Sequence, residues 1–396
     1  MRKGVHRARR GRRECTRKGD LQLTLVFADA SAAPGLHALV VGVGSYSGAL
    51  GADSTLLRSA PNSALAMANW LRGEYRNLDV PLRSIELLIS PADGNTEAEI
   101  EFAGKTVERA FMGQAKPQGK IPAYGLAKAV GDWKQRASSS QKNGAFFYFC
   151  GHGVEYQGGP HLLLEGFDPS SDAPFESSVD FLRFWRGMDM CLARQQIYIV
   201  DACRDQPSWV MSKQNTAPGR GLVELDSDAL PIDLATRDAP IFYATASSHR
   251  AGSNDGVMSR FTKAFLDVMR GPACRKTGKP RVWRVSTDQI MTSIHELTDA
   301  AIWGDWHDQV PKVSGDSGPF DFHTPENPTV PLIVHQPEKS DKLAVKVDGE
   351  GCLPLNANTW IRQVPIGDRV VSAESPQGTL ASVEVFVQPF FEEVNL

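Results

Sequence analysis

Apolar positions along this chain follow two rhythms. Short, nearly continuous apolar runs recur at Leu36–Val43 (LHALVVGV), Ser84–Ile89 (SIELLI), Ala145–Cys150 (AFFYFC), Gln196–Val200 (QIYIV) and Pro240–Ala246 (PIFYATA). Runs of this length, rich in β-branched and aromatic residues, predict strands buried on both faces of a parallel sheet. Between them, helical spacing of apolar residues predicts helices over Pro61–Tyr75, Phe175–Leu192, Met258–Met269 and Thr287–Ala301. Residues 97–137 read as helical pieces broken at Lys116–Gly119. Pro160–Leu164 predicts a short hairpin arm. His307–Gly315 predicts a last edge strand, where Pro311 is tolerated. Strand alternating with helix implies an open, mainly parallel α/β sheet with helices on both faces.

The texture changes after about residue 325. Pro325, Pro328, Pro331 and Pro337 make a linker-like stretch, followed by short β-like pieces at Leu343–Val347, Thr359–Val364, Arg369–Ala373 and Ser382–Val387. The chain therefore divides into a basic, disordered arm (1–34), an α/β domain (35–324), and a linker with a small β-rich module (325–396).

Composition narrows the picture. The 396 residues are 41% apolar with a net charge of −3, ordinary for a globular protein. Residues 1–20 hold nine Lys/Arg against Glu14 and Asp20, a local charge of +7. Such a block reads as a solvated tail, a mis-assigned start, an arm for nucleic acid or anionic lipid, or the basic end of a signal peptide. Leu21–Ala28 is short for the apolar part of a signal peptide, and no run reaches the ~18 apolar residues of a membrane span. Six scattered cysteines without a CxxC pair argue against a structural zinc site or a disulfide scaffold, so a reduced, cytoplasmic protein is expected.

The candidate chemistry lies at two strand ends. His152 follows Ala145–Cys150 and Cys203 follows Gln196–Val200. Functional groups of open α/β sheets collect at the carboxyl ends of strands. An imidazole beside a thiol stabilises the thiolate and can later protonate a leaving amine. Gly151 and Gly153 let the backbone bend closely around the histidine. The amides of Gly153 and Cys203 are candidate oxyanion donors. A lone histidine or cysteine at a strand end is more often structural; two in matching contexts point to catalysis.

FFYFCGHG (Phe146–Gly153) and YIVDACRD (Tyr198–Asp205) together resemble the caspase-like superfamily of cysteine peptidases, most of all the bacterial metacaspase-like (peptidase C14) members. The His–Cys separation is 51 residues, against about 50 in the caspase signature. HALVVGVGSY (His37–Tyr46), ATASS (Ala244–Ser248), RFTKAFLDVM (Arg260–Met269) and QVPKVSG (Gln309–Gly315) are similar to other segments of that fold. The resemblance covers about residues 36–318. It implies a caspase-like α/β/α sandwich around a mainly parallel six-stranded sheet, with the small β-rich module appended. It implies protein substrates cut through an acyl-enzyme, with Cys203 as nucleophile and His152 as acid/base.

In metacaspase-like members the Asp two residues before the Cys binds a P1 Arg or Lys. That residue here is Asp201. The family's second pocket acid falls at Ser63, which leaves Asp53 in the preceding loop as a substitute; Ser247 is the further substrate-binding candidate. The linker after the Cys strand is often cut on activation. Lys213, Arg220 and Arg237 are its candidate self-cleavage positions, with Ala217–Gly221 expected to be exposed and flexible. No cofactor or metal is expected. Some metacaspases need calcium, but the acidic stretch Glu97–Glu101 reads more simply as a helix N-terminus. By family analogy the module at 325–396 is a docking piece for an activating or regulatory protein, and the setting a bacterial stress or defence pathway. Nucleic acid is not an expected partner, the basic arm excepted. Two other readings stand beside the peptidase: an inactive caspase-like scaffold, and a nucleotide-binding α/β protein suggested by Gly42-Val43-Gly44, which lacks the third fingerprint glycine and any Walker motif.

Overall fold

The structure is a computed structural model that describes residues 24–48, 50, 56–92, 99–113, 125–204, 206–213, 215–223, 237–245, 257–278, 282–304, 309–315, 318–336 and 344–396. The apolar runs lie side by side in one seven-stranded sheet. Its spatial order is Leu25–Ala28, Leu82–Ser90, Leu36–Val43, Gly144–Cys150, Gln195–Asp201, Ile241–Tyr243 and Lys312–Ser314. The inner pairings are parallel, and the outermost pairing on each side is antiparallel.

Alternation along each strand sends side chains to opposite layers. Val40, Phe146, Tyr148, Ile197 and Ile199 pack beneath α1 (Ser59–Gly73), α5 (Arg260–Met269) and α6 (Thr287–Asp299). Leu39, Val41, Phe147, Phe149, Tyr198 and Val200 face α2 (Leu126–Ala137) and α3 (Phe181–Gly187). Both faces are covered, which is why the strands read as continuous apolar runs rather than alternating ones. A short helix, α4 (Ser208–Ser212), follows the Cys203 segment.

Three expectations are corrected. The sheet has seven strands rather than six, because Leu25–Ala28, within the stretch expected to be disordered, pairs antiparallel with Leu82–Ser90. An edge strand needs only a partner's free backbone groups and one apolar anchor; Val26 is buried and the Thr24 hydroxyl donates to Glu86. Among the described residues of 97–137, only Leu126–Ala137 is helical. Glu101–Phe102 and Lys105–Thr106 instead form a tight hairpin, whose turn residues Ala103 and Gly104 both have positive φ (54° and 74°), the geometry that matches strand twist. Phe175–Leu192 is not one helix. Ser178–Asp180 is a strand that joins the hairpin Gly153–Tyr156/Gly159–Leu163. The Asp180 carboxylate then accepts the Arg183 N–H at 3.0 Å, which fixes the start of α3.

Beyond residue 328 the chain forms two four-stranded sheets. One contains Thr329–His335 and Thr359–Pro365; the other contains Gly367–Ser375 and Gly378–Val387. Val330, Leu332, Val334, Val345, Val371 and Val387 fill the space between them, as in a small β-sandwich. The Thr329 N–H donates to the Arg270 carbonyl just past α5 at 2.9 Å.

Candidate active site

In the parallel ladder, Cys150 is the register partner of Asp201. The pairing runs one residue further, the Gly151 N–H donating to the Asp201 carbonyl at 3.2 Å. His152 and Cys203 are each two positions beyond that matched pair, on strands ~4.8 Å apart. Both side chains are half-buried. The geometric premise of the sequence reading, two consecutive buried strands adjacent and parallel, is met.

The glycines flanking His152 are required by close approach. A Cβ on Gly153 would lie 2.7 Å from the Cys203 carbonyl oxygen and 3.0 Å from the Ala202 Cβ. A Cβ on Gly151 would lie 2.9 Å from both the Tyr46 hydroxyl and the Phe149 ring. The two backbone segments are therefore pressed together at the strand ends.

Tyr46 holds the histidine segment. Its hydroxyl accepts the His152 N–H at 2.6 Å and donates to the Val43 carbonyl at 3.2 Å. Its ring centroid lies 4.9 Å from that of His152. Burial pushes the Tyr46 phenol well above its ordinary range, so it stays neutral and can both accept and donate.

Arg204 ties the cysteine segment to the hairpin that follows His152. Its Nε and Nη2 lie 3.2 and 3.1 Å from Glu155 Oε2, and its guanidinium sits 4.4 Å over the Tyr243 ring. Only 12% of the arginine side chain and 13% of the glutamate side chain is exposed. Sequence reasoning assigned no role to Tyr46, Arg204 or Glu155. Tyr46 closes the HALVVGVGSY segment and Arg204 directly follows the cysteine, but only the fold brings their partners to them.

Asp201 is 3% exposed. The Ser259 hydroxyl and the Thr262 hydroxyl, the latter at 2.6 Å, both donate to its Oδ2. Burial raises its pKa, and the hydrogen bonds from Ser259, Thr262 and Cys150 oppose that rise. Ser259 caps α5 by accepting the Thr262 N–H at 3.0 Å, and its own N–H donates to Ser63 Oγ at 2.9 Å. Asp201 and Ser63 thus meet around the start of α5.

The remaining candidates are dispersed. Asp53 and Ser247 lie outside the described residues, as do residues 1–20 and Glu97. Glu101, from the acidic stretch read as a helix start, sits in a strand. Lys213 Nζ donates to the Ser171 carbonyl at 3.0 Å. Arg237 is ion-paired with Asp189, and its guanidinium lies 4.5 Å over the Trp185 ring. Arg220 is exposed, but its backbone is held on both sides: its N–H donates to Ser178 at 2.9 Å and its carbonyl accepts from Asp180 at 3.0 Å. Gly219 is buried where a Cβ would meet Ser178 Oγ at 2.6 Å. This corrects the expectation that the whole of Ala217–Gly221 is an exposed loop: glycine lets it pack as an extra strand-like edge. Among the described residues no group of three or more His, Cys, Asp or Glu side chains is placed to hold a metal ion. No described helix is long and apolar enough to cross a membrane.

Three of the other described cysteines, Cys150, Cys191 and Cys274, are buried, whereas Cys203 and Cys352 are half-buried. Burial drives the Cys150 and Cys191 thiols upward, and that of Cys274 to about 12. Thiols so placed are unreactive at neutral pH.

The Peptidase C14 family, described as the caspase domain, matches residues 36–295. An uncharacterised protein of Sinorhizobium fredii is 23% identical over 287 residues, covering 71% of this chain and 74% of that relative. Caspase-1 from Spodoptera frugiperda is 12% identical with a TM-score of 0.40, covering 76% of this chain and 98% of that one. A Geobacter sulfurreducens protein of known structure is also 12% identical with a TM-score of 0.40, covering 74% of this chain and 98% of that one.

Proposed function

We propose that this chain, which belongs to the caspase-domain family, is a cysteine endopeptidase that works through Cys203 and His152. The observation that supports the reading is the matched register of Cys150 and Asp201 on adjacent parallel strands, with His152 and Cys203 each two residues further along the chain. The Cys203 thiolate attacks the scissile carbonyl carbon. The resulting oxyanion takes hydrogen bonds from the backbone N–H groups of Gly153 and Cys203. His152 protonates the departing amine, and the acyl group stays on sulfur. Water then attacks the thioester while His152 takes its proton, releasing the carboxylate product and the thiolate.

The proposed P1 residue is Arg or Lys, recognised by Asp201. Asp201 ends the strand two residues before Cys203, and a cation is a ligand that a buried carboxylate favours. Ser63 supplies a hydroxyl where a second acid would strengthen that preference. Self-processing is proposed at Arg220, the exposed one of the candidate basic residues. Cleavage there requires its edge to peel from Ser178–Asp180 first. The β-sandwich is proposed as the docking piece for a regulatory protein, in a stress or defence setting.

The test is a fluorogenic peptide series with Arg, Lys, Asp or a neutral residue at P1, with and without calcium, run beside Cys203→Ala. Turnover of the basic substrates that vanishes in the variant is expected, together with two chain fragments absent from it. Folded wild-type protein that turns over nothing beyond Cys203→Ala would reduce the chain to a caspase-like scaffold.

A further inference from the structure

A cleft of about 680 Å³ opens between the tip of the Gly153–Leu163 hairpin, α3, and the strap at 218–223. That volume suits a small organic ligand. Neither His152 nor Cys203 lines it. Three features give it a chemistry.

The first is His161, which lines the cleft and is 2% exposed. Tyr156 and Phe175 box its ring, each with centroids 5.3 Å away. Nδ1 lies 3.1 Å from the Gly159 carbonyl. A carbonyl only accepts, so Nδ1 carries the hydrogen and Nε2 of the neutral ring carries a lone pair. Nε2 is buried with no hydrogen-bond partner. Burial lowers the ring's pKa against the opposing pull of Gly159, Asp180 and Glu155, which favours the same neutral form. A buried acceptor without a donor is rare in folded proteins and calls for a partner.

The second is Arg183 and Arg186, both exposed and both lining the cleft. Three residues apart on α3, they share one helix face. The carboxylate beside them, Asp180, is engaged in capping α3. The third is the strap. Pro218 and Val223 form an apolar side of the cleft, and the hairpin grips the segment leading to it through Tyr156 Oη, 2.8 Å from the Lys213 carbonyl and 2.7 Å from that of Thr216.

We propose that this cleft is a second ligand site, for a small organic anion that also carries an N–H or O–H donor. The anionic group sits between Arg183 and Arg186, and the donor reaches His161 Nε2. The carboxylate of an acidic peptide and the phosphate of a nucleotide share this chemistry. An occupant touches at once the hairpin that begins beside His152 and the strap that follows Cys203. It therefore braces both segments from ~10 Å along the hairpin strand. The site does not depend on the peptidase reading, since its binding is measured without turnover.

The experiment is calorimetric titration of full-length Cys203→Ala protein with Gly-Glu and with AMP, using Gly-Gln amide and adenosine as controls that lack the anionic group. Saturable 1:1 binding of at least one anion is expected, weakened by salt. It should weaken about tenfold or more in Arg183→Ala/Arg186→Ala, whose positions are exposed and whose melting temperature should hold. His161→Phe should weaken it as well while keeping the aromatic box. Binding of AMP alone assigns phosphate, and binding of Gly-Glu alone assigns carboxylate. No saturable binding of either anion up to about 5 mM, or binding that the double arginine variant leaves within about twofold, overturns the proposal.

Discussion

Gly153 and Cys203 are in main-chain contact: a single methyl group on the glycine would sit 2.7 Å from the cysteine carbonyl oxygen. Fifty residues apart in sequence, they hold the histidine and cysteine segments at a fixed spacing. Gly153→Ala should force the two strand ends apart. The expected loss is about 1–3 kcal/mol of stability, typical of overpacking, with a larger fall in labelling by a thiol-directed acyl probe. Gly131→Ala is the contrast. It lies within α2 with nothing within 4 Å of its added Cβ, and should stabilise the fold by about 0.5–1 kcal/mol. Thermal melts of both variants check the pair of outcomes.

Tyr46→Phe keeps the ring beside His152 but removes the hydroxyl that accepts the His152 N–H. A buried donor left without its acceptor costs about 1–3 kcal/mol. If the hydroxyl positions the histidine, kcat should fall while KM changes little. Equal changes in both would mean that Tyr46 acts on substrate binding instead.

Arg204 and Glu155 should behave as a coupled unit. Both are nearly buried, so removing either partner alone leaves an uncompensated charge, at about 3–5 kcal/mol. The double variant Arg204→Met/Glu155→Leu should lose less than the two single changes added together. Urea unfolding of the four proteins measures that coupling. Strict additivity would show that the pair contributes nothing jointly.

His323 gives the fold an acid-sensitive group. It packs against the Trp70 and Tyr75 rings, and its Nδ1 lies 3.0 Å from the Arg76 nitrogen and 3.1 Å from the Arg76 carbonyl oxygen. Burial lowers its pKa to about 4 from an ordinary 6.5. Between those values the unfolded chain binds a proton that the folded ring refuses. Its contribution is therefore fully present above pH 6.5 and lost as pH falls toward 4. That difference is worth about 3 kcal/mol. His323→Phe should flatten the slope of unfolding free energy against pH over this window, even if it lowers stability uniformly through the lost hydrogen bond. An unchanged slope would mean that the ring protonates freely in the native state.

The sequence by itself determined the central strands, because a strand buried on both faces must be apolar along its length. Leu36–Val43 and Ala145–Cys150 could be read directly for that reason. It also marked the two residues that leave those strands toward the candidate chemistry, since glycines around a histidine and a polar Asp-Ala-Cys after an apolar run break the pattern visibly. Only the tertiary structure decided the rest. Leu25–Ala28 is a strand because the Leu82–Ser90 edge offers it hydrogen bonds, a fact about a partner 56–61 residues away and not about its own composition. Phe175–Leu192 splits because Ser178–Asp180 finds a hairpin to pair with before α3 begins. Tyr46, Arg204 and Glu155 carry no local signal, since each matters through a contact made across the sheet edge. The register that aligns His152 with Cys203 is likewise a long-range choice. Period and composition predict that a strand exists, but only pairing fixes which residues stand opposite one another.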